Sequence, residues 1–455
     1  MLVFSGQRVV LPGRTEPCPA MIEVSRDTGK ITKVLEKAAN KPEYPEETEF
    51  VELSPDQILL PGLVDVHVHL NAPGREQWEG FKTGTQAAAS GGVTTLVDMP
   101  LNSIPSTTTV SNLKQKTDRA TDSCYIDVAF WGGVVPDNSE DLVPLVEAGV
   151  KGFKCFLCNS GVDEFRHVEE EDLHRALPKI QHKGRKMLFH AELGDRDEES
   201  SHSHRAYSTF LKTSPESMEE SAIALVARLT EQYAPLQTHI VHLSASSALP
   251  ILREARREKK LPLSVETCIH YLTLEAEVVP EGRTDYKCCP PIRGRANRDA
   301  LWQALQDGDI DFIVSDHSPC TADLKRLDEG NFLKAWGGIG GLGLGVSLIY
   351  TECQKRNISI CKLVEWMSSK PAAWIGLDGQ KGGLKEGADA DLVIFDVSKS
   401  FTISTDDLYF KNKVSPYTGM QVDGRVVKTF LRGQAVFDVK ASDPFLDSAK
   451  GRLLL

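Results

Sequence analysis

No apolar run in the chain reaches the roughly 18 residues that a helix needs to cross a bilayer, which argues against a membrane span. Basic residues are in deficit: 52 Lys and Arg stand against 64 Asp and Glu, a formal charge of −12. So acidic a chain is not a general nucleic-acid binder, because phosphates demand a basic surface. There is no internal repeat of solenoid period and no low-complexity segment. The opening MLVFSGQRVVLPG has no basic region followed by a sustained apolar stretch, so no secretory signal is read. On that expectation the ten cysteines are reduced thiols in an intracellular compartment, cytoplasmic by default with an organelle left open. The closing GRLLL is not the SKL-type peroxisomal signal. Cys155 and Cys158 have CxxC spacing, but no second such pair follows, and they read as packing cysteines rather than a zinc or redox pair.

What is present is ordinary globular composition, 41% hydrophobic and 25% charged over 455 residues, enough for a large core. Residues 1–58 read as short strands and turns, with KAANKPEYPEETEF as a loop, and the end of the chain resembles them in DADLVIFDV, RVVKTFLRG and QAVFDV. The middle alternates β-branched runs with helical patterns. Eight strand candidates stand out: GLVDVHVHL, TTLVDMP, YIDVAFWG, VKGFKCF, KMLFHAE, THIVHLS, LPLSVETC and DIDFIVSDH. Such alternation predicts a parallel sheet, and eight strands predict closure into a (β/α)8 TIM-type barrel. The expected organisation is α/β. Residues 59–384 form the barrel, and 1–58 with 385–455 form a small β-sandwich domain built from both termini. The longest interruption, about 188–236, is expected as loop and helix after the fifth strand.

Polar residues gather at the C-terminal ends of these strands: His67 and His69 on the first, Lys154 on the fourth, His190 on the fifth, His242 on the sixth, Asp316 on the eighth. In a barrel those ends converge on one mouth. Residues two apart in a strand share a face, so His67 and His69 point the same way. Singly, each has an ordinary structural reading; jointly, they point to a metal site. Four imidazoles and a carboxylate suit zinc or a similar first-row divalent ion, with cobalt, manganese, nickel and iron left open. Two metals need a bridge, and Lys154 can provide one if its amine, made neutral by burial or nearby cations, has reacted with carbon dioxide to form a carbamate.

The segments GLVDVHVHLNAPGREQWEGF, GGVTTLVDMP, GFKCF, FHAE, IVHLS and SDHSPC resemble the cyclic amidohydrolases of the metal-dependent amidohydrolase superfamily. The likeness covers nearly the whole chain, with DADLVIFD resembling the family's returning sandwich segment. It implies two divalent metal ions per subunit, most simply Zn2+. Carboxylated Lys154 would bridge them, with His67 and His69 on one ion and His190 and His242 on the other. Asp316 would be both a ligand and the general base. It also implies a homotetramer, with no nucleic-acid or membrane partner.

These ligands do not choose the substrate. Dihydroorotases usually carry HxHxR, and Asn71 stands at the arginine position. Hydantoinases and dihydropyrimidinases usually place a tyrosine five residues after the bridging lysine, and Asn159 stands there. The loops NAPGREQWEGF, MPLNSIPSTTT, KCCPPIR, SDHSPC and KAWGGIGGLG resemble the branch that opens the hydantoin ring of allantoin, a small polar ureide. By that likeness Asn71, Cys289, Ser318 and Gly338 are the substrate contacts: backbone groups around Cys289 and Gly338 would meet the ring amides, and Ser318 would donate to the substrate. The family more often has serine where Cys289 stands. Arg75 supports the substrate loop or forms a structural ion pair. The run GGIGGLGLG lacks the strand, helix and lysine of a phosphate loop and reads as close backbone approach at the mouth. The alternatives are a hydantoinase or dihydropyrimidinase and a non-catalytic scaffold.

Overall fold

The computed structural model describes residues 1–194, 203–446 and 448–455. Eight parallel strands form the barrel: Leu63–Val68, Val93–Asp98, Asp127–Phe130, Gly152–Phe156, Lys186–His190, Gln237–Ile240, Leu263–Cys268 and Phe312–Val314. Each falls on one of the eight runs expected from the sequence. The ring closes between the last and first strands, where the His69 N–H donates to the His317 carbonyl at 2.9 Å. At the same seam the Asp65 carboxylate accepts from the Ser315 N–H at 3.2 Å.

A helix follows every strand. The helix after the second, Val110–Ala120, starts where the Thr109 hydroxyl accepts from the Asn112 N–H at 3.2 Å. The helix after the seventh, Arg295–Asp307, stops at Gly308, whose φ of 78° takes the left-handed turn that a side chain resists. After the fifth strand come Tyr207–Thr213 and Glu216–Gln232; within the expected 188–236 interruption, residues 195–202 lie outside the described residues. Among the described residues no helix is long and apolar enough to cross a membrane.

Both chain ends build one further sheet. Its order is Gln434–Asp438, Gln421–Leu431, Leu392–Thr402, Gln57–Pro61, Leu2–Val9, Cys18–Val24 and Ile31–Leu35, with Glu49–Glu52 added beside Leu2–Val9. Gln57–Pro61 joins the halves, pairing antiparallel with Leu392–Asp396 and touching Leu2–Val9 at Val9 and Leu59. This β-sandwich has its own apolar core, including Leu2, Phe4, Ile22, Leu59, Leu392 and Phe430, with the Phe4 and Phe430 rings edge to face at 4.9 Å. The stretch expected as a loop holds a short helical turn at Lys41–Glu43 and runs into the strand Glu49–Glu52, whose four residues EFVE do not alternate and are too few to read as a strand.

Candidate metal centre

The first barrel strand carries His67 and His69 to the mouth on one face, as the two-residue period requires. Lys154 lies within the fourth strand, and His190 closes the fifth. His242 and Asp316 sit two residues beyond their strands with φ of 41° and 45°. Left-handed backbone at a residue other than glycine costs about 1–3 kcal/mol, and here it turns both side chains inward. All six residues line one cavity of about 390 Å³.

Their donor atoms meet. Asp316 Oδ1 lies 3.2 Å from His67 Nε2 and 3.4 Å from His69 Nε2. Lys154 Nζ is 3.5 Å from His67 Nε2, and His190 Nδ1 is 2.9 Å from His242 Nε2. The Phe156 ring stacks on His190 at 4.3 Å and fixes its plane.

Burial sets the electrostatics. It drives His67 and His242 well below the ordinary imidazole value and lowers His69, so these rings are neutral and offer lone pairs. Burial pushes Lys154 down to about 8 against the upward pull of Asp316 and Glu266. Burial opposes the Asp316 charge too, but the His69 hydrogen bond and positive neighbours hold its carboxyl below the ordinary range. Among the described residues no carboxylate comes within ion-pair distance of Lys154, and His242 Nδ1 has no hydrogen-bond partner. The floor is a cluster of Lewis donors short of positive charge, and it fits divalent cations.

Residues behind the floor orient it, and sequence reasoning missed them. Glu266, on the seventh strand, takes His67 Nδ1 at 2.5 Å, His239 Nε2 at 3.1 Å and the His242 N–H at 3.3 Å. Its hold on Nδ1 leaves His67 Nε2 facing the cavity. Glu192 Oε2 meets His190 Nε2 at 2.7 Å. Glu219 accepts from the Ser244 and Ala245 N–H groups at 2.9 and 3.1 Å and pairs with Arg293 at 2.8 Å, bracing the turn after His242. A carboxylate inside an apolar strand, as in LSVETC, and one two residues from a candidate ligand, as in HAE, are the signals that could have pointed to Glu266 and Glu192.

Of the expected substrate contacts, Cys289, Ser318 and Gly338 line the cavity, as does Asn159. Asn71 does not; its amide nitrogen reaches the Pro319 carbonyl at 3.3 Å. Arg75 pairs with Glu164 and lies over the Trp78 ring at 4.8 Å, an arrangement that braces the loop. In the glycine run, a Cβ on Gly338 would stand 2.3 Å from the Ser318 carbonyl oxygen, so the backbones touch where a side chain has no room. Cys155 and Cys158 are buried and not joined in a disulfide.

The model of the Amidohydrolase family matches residues 58–436. An allantoinase of Saccharomyces cerevisiae is 47% identical over 447 residues, covering 95% of each chain. An allantoinase of Streptomyces avermitilis is 47% identical over 457 residues, covering 100% of this chain and 98% of its own. Among solved structures, an L-hydantoinase (dihydropyrimidinase) from Arthrobacter aurescens superposes with a TM-score of 0.89 at 26% identity, covering 100% of this chain and 99% of its own.

Proposed function

The chain belongs to the amidohydrolase family, and on that premise we propose that it adds water across the hydantoin ring amide of allantoin to give allantoate. The observation that carries this reading is full-length likeness, at 47% identity, to two allantoinases. It is supported by six donor side chains converging beneath one cavity.

The family implies a binuclear metal centre. We assign His67 and His69 to one ion, His190 and His242 to the other, Lys154 as the bridge and Asp316 as a further ligand, with Zn2+ as the ion that best suits this N/O set. Cations bound there would supply a water that ionises near neutral pH and positive charge to polarise the ring carbonyl. Lys154 supports its own carboxylation. A buried ammonium with no carboxylate in ion-pair reach is costly, whereas its neutral amine can add to carbon dioxide, form the carbamate N–C bond and release a proton. Asp316 Oδ1 takes a proton from the attacking water and gives it to the departing ring nitrogen as the ring C–N bond breaks. Backbone groups around Cys289 and Gly338 and the Ser318 hydroxyl orient the ring; Gly338's own N–H and C=O are held by Lys287 and Lys325. Asn71 does not line the cavity; its amide holds the Pro319 carbonyl, next to Ser318. Residues 59–384 carry this chemistry, residues 1–58 and 385–455 form the sandwich, and four copies assemble.

A hydantoinase structure at 26% identity with nearly complete superposition supports a second reading, hydrolysis of hydantoin or dihydrouracil. The test is allantoate formation by purified protein before chelation, after chelation and after zinc is restored. Loss and recovery of turnover are expected. Turnover that survives complete metal removal contradicts the proposal.

A further inference from the structure

Two segments contribute much of the cavity lining: 284–289, which opens with the short helical turn Thr284–Tyr286 and brings Lys287, Cys288 and Cys289 to the cavity, and 333–338. Behind them is Lys325, only 3% exposed, at the end of the short helical turn Ala322–Lys325. Among the described residues its ammonium has no carboxylate partner. It instead gathers three backbone carbonyls: Trp336 at 3.1 Å, Lys287 at 3.5 Å, and Gly338. The Lys287 carbonyl also accepts from the Gly338 N–H at 2.8 Å, so the two loops meet at this point. The Thr284 hydroxyl donates to the Lys325 carbonyl, and the Trp336 N–H donates to the Leu324 carbonyl at 2.9 Å, fixing the turn that carries the lysine.

A buried ammonium satisfied by carbonyls alone determines which way those peptides face. In a trans peptide the C=O and the following N–H point in opposite directions. Turning the Trp336 and Lys287 carbonyls toward Lys325 therefore turns the N–H groups of Gly337 and Cys288 away from it. Gly337 and Cys288 both line the cavity, and among the described residues neither N–H donates to a protein acceptor. Lys325 itself does not line the cavity.

We propose that Lys325 is a positioning residue for substrate specificity, holding the Lys287–Cys288 and Trp336–Gly337 peptides so that their N–H groups face the carbonyl oxygens of a ureide ring. The ligand class rests on the proposed ring-opening activity; the holding of the two peptides does not. An acceptor-rich neutral ring suits such a wall, since fixed backbone donors discriminate by hydrogen bonding without a counter-charge.

Two measurements on metal-loaded protein separate these layers. In Lys325→Met, amide hydrogen exchange in segments 284–289 and 333–338 is expected to rise at least tenfold, with the barrel strands unchanged. The KM for allantoin is expected to rise about tenfold with kcat within threefold and metal content unaltered. Lys325→Arg, which keeps the charge but cannot seat it on all three carbonyls, should fall between, and it carries both measurements at smaller amplitude should Lys325→Met not fold. Unchanged exchange in the two segments overturns the positioning role. Faster exchange with an unchanged KM overturns the specificity role. Faster exchange in a protein that does not turn over allantoin at all refutes the ring-opening activity while upholding the positioning of the loops.

Discussion

Asp316 faces two imidazoles through one carboxylate oxygen, from a backbone conformation adopted by few residues with a side chain. If that oxygen carries the proton between water and leaving nitrogen, Asp316→Asn removes the carrier and only weakens a ligand. Turnover should fall about 10²–10⁴-fold while most of the metal stays, measured by kcat and metal content on one sample. Lys154→Ala should lose at least one metal, and short carboxylic acids should restore some activity by standing in for the carbamate. Full metal content without the lysine would contradict the bridge. The six residues that the structure gathers were legible in the sequence because each stands at or just past the end of a β-branched run, the one part of a barrel whose destination is known in advance. Glu266, Glu192 and Glu219 were not singled out, since their meaning lies in contacts with residues 2 to 199 positions away. The likeness of its loop places Asn71 among the substrate contacts; with a left-handed φ of 63°, its amide meets the Pro319 carbonyl instead.

At the scale of elements, the barrel strands were readable because burial on both faces demands continuous apolar runs. The loops that wall the cavity were less so. Their shape depends on backbone meeting backbone, as where Gly338 lies against Ser318. Gly338→Ala should force these segments apart, since its Cβ would stand 2.3 Å from a main-chain oxygen. The predicted result is a fall in kcat/KM for allantoin of about tenfold or more, with unchanged metal content. An unaltered kcat/KM would mean that the loops yield without cost. Two irregular stretches, the wide helical turns at Glu254–Glu258 and Glu365–Ser369, continue the helices before them, and no pattern of apolar spacing distinguishes them from ordinary helix.

Across the whole molecule, the barrel end opposite the mouth is joined to the sandwich by a buried ion cluster. Lys381 Nζ lies 2.6 Å from Asp127, 2.9 Å from Asp389 and 2.7 Å from Asp391, and Arg432 reaches Asp127 at 2.6 Å. Asp127 opens the third barrel strand, while Asp389 and Asp391 lead into the sandwich strand Leu392–Thr402. The sequence showed that the chain ends share a character; it could not show that a lysine from the connecting turn would be the pin. Lys381→Met leaves Asp391 without its cation, while Arg432 stays on Asp127 and Lys30 on Asp389; it should cost about 3–5 kcal/mol of stability, read from denaturant unfolding, with kcat retained because the site lies at the other end. Burial opposes the Asp389 charge, but Lys381 and Lys30 hold its pKa down at about 2. A folded-state pKa below the unfolded value of about 4 gives stability that is present above pH 4 and lost as the pH falls toward 2. The unfolding midpoint should drop across that window, and less steeply in Lys381→Met; equal slopes would contradict the role of the pair.

The most direct test of the central claim is a matched assay of metal-loaded protein on allantoin, hydantoin, dihydrouracil and dihydroorotate, with metal content determined on the same sample. The predicted result is strong preference for allantoin with about two divalent ions per chain. Preference for hydantoin or dihydrouracil would contradict the substrate assignment while leaving the metal chemistry in place, and no turnover of any ring at full metal loading would contradict both.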